Sequence, residues 1–145
     1  MNAGKLLLSA VLAASCSLAF AADPVTQRQD VFKDYKKTFG PMGDMVKGKT
    51  AYNQAEFAKL AAHLEEISKQ PWQYFTPGTD KGKTEAKAEI WSKPAEWKKQ
   101  ITAHQAATAE LAKVAATGDM AAIKPAFGKV GQSCKSCHDS FRKAD

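Results

Sequence analysis

The chain has 145 residues, 44% of them hydrophobic and 25% charged, and its 21 Lys and Arg against 15 Asp and Glu give a net charge of +6. This length predicts one domain with its own core. The basic residues are interspersed with acidic ones, and no basic run carries interleaved aromatic residues, so binding to nucleic acid is not expected.

The N-terminal residues predict a secretory signal peptide at residues 1–21. Lys5 gives a positive start, residues 6–14 form a short apolar run, and residues 19–21 read A-F-A before the cleavage point. The apolar run is too short to cross a bilayer, so no membrane insertion is expected.

Cleavage would leave residues 22–145 as a single domain. Cys16 offers an alternative, because a cysteine at the end of a signal sequence can be a lipid attachment site. Ala13, however, is a poor match to the Leu that usually lies three residues before such a cysteine.

Two helices are predicted in the N-terminal half. Pro41 lies inside the first, so a kink or an early end is expected there. Arg28 falls on the apolar stripe of this helix. The second helix begins after Asn53, a good N-cap, and stops before Pro71. The apolar residues at helical steps are Val25, Phe32, Tyr35, Phe39, Met42 and Val46 in the first helix and Phe57, Leu60, Leu64 and Ile67 in the second.

Residues 70–90 form the longest connection between predicted elements. A loop of this length in a small domain is usually functional or packed. Trp72, Phe75 and Trp91 give this loop and its end large side chains to bury.

Two more helices are predicted in the C-terminal half. Ser92 is expected to cap the third helix, with Pro94 in its first turn and Gly118 at its end. Asp119 is expected to cap the fourth. The inner face of the fourth helix carries Ile123, Phe127, Val130, Cys134, Cys137, His138 and Phe141. The chain is therefore predicted to be all-α, an antiparallel four-helix bundle.

The most specific motif in the sequence is the C-x-x-C-H formed by Cys134, Cys137 and His138. This is the attachment site of a c-type haem, in which two thiols add to the two vinyl groups of the porphyrin and the imidazole binds the iron. Positions i, i+3 and i+4 share one face of a helix, so all three side chains can meet one side of the macrocycle. We predict one covalently attached haem c on the C-terminal helix.

Three other interpretations of the two cysteines are weaker. A redox dithiol normally opens a helix after a strand, whereas this motif lies deep in a helical pattern. A structural zinc site would need a second pair of ligands, which the sequence lacks. A disulfide would leave the adjacent histidine without an explanation.

The order of these parts resembles the cytochrome c′ family, the class II c-type cytochromes, which carry C-x-x-C-H on the last helix. The matching segments are residues 46–52 (VKGKTAY), 71–79 (PWQYFTPGT), 89–92 (EIWS) and 126–142 (AFGKVGQSCKSCHDSFR). The resemblance implies a four-helix bundle with one covalent haem. Because c-type haem is attached outside the bacterial cytoplasm, it also implies a periplasmic protein, in agreement with the predicted signal peptide.

The resemblance implies roles for five further residues. His138 is the axial ligand, and the residue over the other face of the iron aligns with Phe32, which has no donor atom, so five-coordinate high-spin iron is expected. Arg28 and Gln29 match family positions at the haem edge. Glu85 aligns with an acidic residue near the propionates, and Arg142 matches a basic residue on the proximal side. Each of these four polar residues could instead be a solvated surface group.

Other potential sixth ligands are poorly placed in the sequence. Met42 and Met45 lie ten or more residues beyond the predicted distal residue, which is about 15 Å along a helix. His63 flanks the apolar stripe of its helix, and His104 is more typical of a satisfied core histidine. Met120 begins the last helix, far from the axial ligand.

The resemblance to the cytochrome c′ family implies a haem protein that binds nitric oxide and carbon monoxide. Electron transfer is a second role, for which the basic surface could dock a redox partner protein, and a low-spin electron carrier with an unrecognised sixth ligand is the alternative. Peroxidase activity would need a distal acid–base residue, which Phe32 cannot supply, so the chain is not expected to be an enzyme. A homodimer through the first two helices is expected from the family.

Overall fold

The structure is a computed structural model that describes residues 23–143; the predicted signal peptide at residues 1–21, with Cys16, lies outside the described residues. Within these bounds the backbone forms no strand, only an isolated bridge between Ala86 and Arg142. The helices are α1 (Pro24–Val46), α2 (Gln54–Ile67), a 3₁₀ helix (Pro71–Tyr74), α3 (Glu89–Ser92), α4 (Pro94–Ala115) and α5 (Met120–Phe141).

The long helices α1, α2, α4 and α5 form the predicted antiparallel four-helix bundle. Helix α4 packs against α2 and α5, while α1 packs against α2 and the 3₁₀ helix. The prediction of an all-α bundle is confirmed, with the one-turn α3 as an extra element. No helix between residues 23 and 143 is both long and apolar enough to cross a membrane.

Side-chain caps start three of the four long helices. The Asp23 carboxylate accepts a hydrogen bond from Thr26 N at 3.0 Å, and Asn53 accepts one from Glu56 N at 3.0 Å. Asp119 accepts one from Ala121 N at 2.9 Å. The caps predicted at Asn53 and Asp119 are therefore confirmed, and each contributes about 1 kcal/mol to helix stability.

The start of α4 corrects the sequence prediction. Ser92 does not cap this helix; it is the last residue of α3, and the N-cap of α4 is Lys93, which makes no side-chain capping bond. Residues 89–92 form their own helical turn because Ile90 is buried there, with 4% of its surface exposed. Pro94 occupies the first turn as predicted.

Pro41 does not end α1, which continues to Val46. A proline inside a helix costs about 3 kcal/mol, because it removes a backbone hydrogen bond and its ring clashes with the preceding turn. The turn after it carries Met42, fully buried, and Met45, 7% exposed. Burial of these two side chains offsets that cost, and Pro41 itself faces solvent.

The core fills one end of the bundle, where the C-terminal halves of α1 and α4 meet the start of α2 and α5. The side chains there with no exposed surface include Met42, Phe57, Leu111 and Ile123, while the almost fully buried Leu64 and Val130 border the cavity. Gly118, with φ of +75°, closes the turn between α4 and α5 at this end, and a Cβ there would lie 2.4 Å from Gln54. The opposite end of the bundle holds the site.

Candidate haem site

A cavity of about 850 Å³ opens at the end of the bundle away from the core. Its walls come from the N-terminal half of α1, the loop between α2 and α3, the N-terminal half of α4 and the C-terminal half of α5. This volume lies within the range of about 300–1,000 Å³ typical of ligand and cofactor sites. The eight site residues predicted from the sequence all line it, namely Arg28, Gln29, Phe32, Glu85, Cys134, Cys137, His138 and Arg142.

The three residues of the C-x-x-C-H motif lie on α5 and share this cavity. Cys134 and Cys137 are free thiols and partly buried. Burial raises the pKa of both, that of Cys137 to about 11, so both are protonated at neutral pH. Burial, and then the charge of Arg142, lower the pKa of His138, so its imidazole is neutral, the form that binds metals.

These residues fit a c-type haem better than a bare metal ion. Between residues 23 and 143 no group of three or more His, Cys, Asp or Glu is placed to hold a metal ion. The two thiols and the imidazole therefore do not converge on one ion, yet they line one cavity large enough for a cofactor. That arrangement suits a large planar group that is held at several points.

The side of the cavity formed by α1 and the loop after α2 is aromatic. The Phe32 ring packs edge-on against the rings of Trp72 and Phe75, with centroids 6.2 and 6.4 Å apart, and lies 5.6 Å from the ring of Tyr35. Trp97 of α4 packs against Phe75 at 5.0 Å. Phe32 therefore presents a hydrocarbon surface to the cavity, as its side chain requires.

Arg28 holds the loop that forms one side of the cavity. Its guanidinium donates from Nη1 to Tyr74 O and Thr79 Oγ1, and from Nη2 to Thr79 O and Thr84 Oγ1, at 2.6–3.2 Å. It also lies over the Phe75 ring, 4.4 Å from the centroid. Although burial lowers its pKa and Asp23 opposes that effect, arginine stays charged. Arg28 thus lies at the cavity wall as predicted, with its terminal nitrogens engaged by the loop.

The remaining predicted polar residues tie the rim of the cavity together. Gln29 Nε2 donates to Lys83 O at 2.8 Å. Arg142 forms an ion pair with Glu85 through Nε. These contacts join α1 to the loop and the end of α5 to the same loop. Whether each residue also contacts a haem stays a prediction.

The rival ligands fall into two groups. Met42 and Met45 are in the core, and Met120 packs against it, so none of the methionines between residues 23 and 143 lines the cavity. His63 lies outside the cavity, and its Nε2 is 3.0 Å from Asp34 Oδ2. His104 does line the cavity.

The cavity is also lined by His104, Tyr35 and Ser133, which the sequence analysis did not place in the site. His104 Nε2 lies 3.2 Å from the Tyr35 hydroxyl, and Nδ1 lies 2.9 Å from Ser133 Oγ. The available signal was helical spacing, since Arg28, Phe32 and Tyr35 follow each other at steps of four and three on α1. The prediction that His104 is a satisfied core histidine is correct as far as its hydrogen bonds go.

The tryptophans cluster at this end of the bundle. Trp72 and Trp97 line the cavity, and Trp72 Nε1 donates to Ser68 O at 2.6 Å. Trp91 Nε1 donates to Phe75 O at 3.1 Å. These are all the tryptophans of the chain.

Comparison with known proteins identifies the family. A family model for cytochrome c′ matches residues 23–142, which is most of the chain. The chain belongs to the cytochrome c′ family. Family membership implies a c-type haem with iron, and it confirms the resemblance found in the sequence.

Solved cytochrome c′ structures share the fold and much of the sequence. Cytochrome c prime from Shewanella frigidimarina superposes with a TM-score of 0.82 at 41% identity, covering 85% of this chain and 96% of that one. Two variants of the cytochrome c prime from Alcaligenes xylosoxidans are each 38% identical. The nitric oxide complex has a TM-score of 0.80 and covers 85% of this chain and 95% of its own. The carbon monoxide-bound variant has a TM-score of 0.79 and covers 84% and 95%.

Proposed function

We propose that this chain carries one haem c, attached covalently through Cys134 and Cys137 with His138 as the axial iron ligand, and that it binds nitric oxide and carbon monoxide. The observation that carries the proposal is that this motif and Phe32 line one cavity of about 850 Å³. When bound, the haem supplies an iron centre that can take a diatomic gas and can change its oxidation state.

The chain's own residues determine which ligands enter. Phe32 has no lone pair to offer the iron, so the side of the cavity that it covers is left without a protein ligand, and five-coordinate high-spin iron follows. Phe32 packs with Trp72 and Phe75 into an apolar surface, which favours small neutral molecules over anions. The nitric oxide and carbon monoxide complexes of the Alcaligenes variants support this ligand class.

The same wall disfavours oxygen storage and peroxide chemistry. Phe32 cannot donate a hydrogen bond to a bound molecule, and Arg28 already donates from both Nη atoms to loop oxygens. Arginine is also a poor proton acceptor, because its guanidinium stays protonated in proteins. Without a distal acid–base group we propose a binding protein, not an enzyme.

A low-spin electron carrier is the second candidate, and the position of His104 is the observation that favours it. His104 is a potential iron ligand on the cavity wall. Both of its ring nitrogens, however, are within hydrogen-bond distance of Tyr35 and Ser133, so ligation would break one of these contacts. Electron transfer with five-coordinate iron remains compatible with gas binding.

The remaining proposals concern the setting of the protein. Cytochromes c′ are generally periplasmic, and a signal peptide at residues 1–21 would direct the export of this chain to that compartment before it is removed. We also propose a homodimer through α1 and α2 and, for electron transfer, a redox partner protein. Sedimentation equilibrium of the purified protein tests the dimer, since a monomer mass at micromolar concentration would contradict it.

Optical and EPR spectra of the holoprotein test the function. They should be recorded in the oxidised and reduced states, before and after nitric oxide. High-spin signals that give way to a five-coordinate ferrous nitrosyl spectrum are expected. A low-spin spectrum that hardly responds to the gas would reject the open site, and its loss in His104→Asn would identify His104 as the sixth ligand.

A further inference from the structure

Three polar side chains from three helices form a hydrogen-bond chain in the wall of the cavity. They are Tyr35 of α1, His104 of α4 and Ser133 of α5. His104 is 5% exposed, and its two ring nitrogens lie 3.2 Å from the Tyr35 hydroxyl and 2.9 Å from Ser133 Oγ. A buried imidazole with a partner on each nitrogen can hold a proton on either one.

The Ser133 end of the hydrogen-bond chain determines which ring nitrogen of neutral His104 carries the proton. The Ser133 hydroxyl donates to Val130 O at 2.7 Å. Its oxygen is therefore free to accept, and Nδ1 of His104 carries the hydrogen that it accepts. The neutral imidazole thus has Nε2 without a proton.

The Tyr35 side of the chain can serve both charge states of His104. The single Tyr35 hydroxyl proton has two potential acceptors, Nε2 of His104 at 3.2 Å and Ile67 O at 3.3 Å. Ile67 O already accepts from Gln70 N at 3.1 Å, so Tyr35 can donate to neutral His104 without leaving that carbonyl unsatisfied.

When His104 is protonated, Nε2–H donates to the Tyr35 oxygen and the Tyr35 hydroxyl turns to Ile67 O. No buried polar group loses its partner in either state, so protonation avoids the cost of an unsatisfied group. The change requires the rotation of one hydroxyl group and no movement of the helices.

The hydrogen-bond chain also extends from the cavity to the outside of the bundle. Ser133 lines both the main cavity and a separate groove of about 450 Å³ between α4 and α5. That groove is lined by polar and small residues that include Gln100, Glu110, Lys129 and Gln132. Tyr35 and His104 line only the main cavity of the two. The Ser133 end of the hydrogen-bond chain therefore borders both the groove and the cavity, whereas the Tyr35 end borders the cavity alone.

We infer that His104 is a redox-linked proton site, which takes up one proton from solvent when the iron in the cavity gains one electron. The electron comes from an external one-electron donor and reduces ferric iron to ferrous iron. The proton comes from solvent, reaches the imidazole on its Tyr35 side and ends on Nε2, so the charge added to the interior is neutralised. The inference rests on the proposed haem.

The surroundings of His104 leave it neutral before the electron arrives. Among the described residues, the titratable groups around this hydrogen-bond chain are Tyr35 from α1 and Cys134 and His138 from α5; His138 interacts with His104, and Cys134 interacts with Tyr35. The 3₁₀ helix contributes the Trp72 ring beside His104, and α2 contributes the Ile67 carbonyl beside Tyr35. Burial, and then the electrostatic interaction with the second imidazole, that of His138, lower the pKa of His104 to about 4. An added negative charge nearby raises that pKa, which is the condition for uptake.

The experiment measures the midpoint potential of the haem-loaded protein by spectroelectrochemistry from pH 4 to pH 8. The potential of the wild-type protein should fall with rising pH just above pH 4 and then level off. The limiting slope is a tenfold change in the equilibrium per pH unit, about 59 mV for a one-electron couple. His104→Asn should lose this sloping segment, because the amide keeps a hydrogen bond to Ser133 but cannot ionise.

Two more variants sharpen the test. Tyr35→Phe removes the acceptor for Nε2–H and should move the sloping segment to lower pH. His63→Asn is the matched control, because His63 is half-exposed, pairs with Asp34 and lies outside the cavity, and it should leave the profile unchanged. Reduced-minus-oxidised infrared spectra near pH 5 should show imidazolium bands that disappear in His104→Asn.

Failure of the inference differs from failure of the proposed function. If mass spectrometry shows no covalent haem on the wild-type chain, the proposed function fails. If haem is attached and His104→Asn keeps the wild-type slope, His104 is not the proton site. Should His104→Asn not fold, an unshifted profile in Tyr35→Phe overturns the inference equally.

Discussion

The two ends of this bundle are built from the same four helices, and they differ in what fills them. At one end, apolar side chains such as Phe57, Leu111 and Ile123 pack with no exposed surface. At the other, aromatic side chains surround about 850 Å³ of space, and polar groups tie the walls together. One end is filled by its own side chains, whereas the other encloses the cavity proposed to hold the haem. The difference separates the residues that stabilise the fold from those proposed to bind the cofactor.

The largest effect is expected where the cofactor is attached. Replacing both Cys134 and Cys137 with Ala should abolish covalent haem attachment, because the two thioether bonds can no longer form. Denaturing mass spectrometry measures the attached haem directly. Ser136→Ala, in the same turn of α5, is the matched control and should keep full attachment; haem retained covalently by the double variant would contradict the assignment.

The distal wall should respond next. Phe32→Met places a thioether over the open side of the cavity, and most of the iron should become low-spin as a result. Phe39→Met is the control, because it introduces the same side chain seven residues away on α1, about 10 Å along the helix. EPR spectra of the two oxidised variants distinguish them, and an unaltered spectrum for Phe32→Met would show that another residue covers the iron.

A substitution at the packed end should lower the stability of the protein and leave the haem spectrum unchanged. Leu111 is fully buried, so Leu111→Ala should lower the free energy of unfolding by about 2–5 kcal/mol. Urea unfolding of the holoprotein measures this loss, and its absorption spectrum should stay that of the wild type. Phe75→Leu at the cavity wall should cause a smaller loss of stability and an altered spectrum. Equal spectral changes in both variants would mean that the two ends are not independent.

The pH dependence of stability should reveal the buried imidazole between the two ends. The pKa of His104 is about 4 in the folded chain and about 6.5 when unfolded, so the unfolded state binds more protons between these values. The free energy of unfolding should therefore fall by roughly 3 kcal/mol as pH drops from about 6.5 to about 4. Urea titrations at several pH values test this, and a pH dependence as steep in His104→Asn would assign the effect to other groups.

The packed end and the helix caps could be predicted from sequence because their signals are local. Asn53 and Asp119 cap the helices that follow them, and each acts within three residues of its own position. Local signals were insufficient at two positions: the early end that Pro41 allowed does not occur, and Ser92 does not cap α4. Burial of Met42 carries α1 past the proline, and burial of Ile90 forms the extra turn that contains Ser92. The rules for helix capping and for proline in helices consider only neighbouring residues, so they do not account for burial against other helices.

The candidate site also has one part that a local motif predicts and another part that depends on the packing of distant residues. Cys134, Cys137 and His138 lie within five consecutive residues, so their motif was sufficient to predict the cofactor. The His104 chain was not predictable, since Tyr35 lies 69 positions before its partner in the sequence and Ser133 lies 29 positions after it. Only the packing of three helices brings these groups within hydrogen-bond distance. The role of Arg28 in holding the loop depends likewise on residues about fifty positions away.

The uneven distribution of tryptophan gives the molecule a built-in local reporter. Trp72, Trp91 and Trp97 are its only tryptophans, and all three lie around the cavity. Their fluorescence therefore follows the cavity end, while far-ultraviolet circular dichroism follows the helices of both ends. Superimposable transitions from the two signals would mean that the bundle melts as one cooperative unit. An earlier fluorescence transition would show that the cavity end opens while the packed end is still folded.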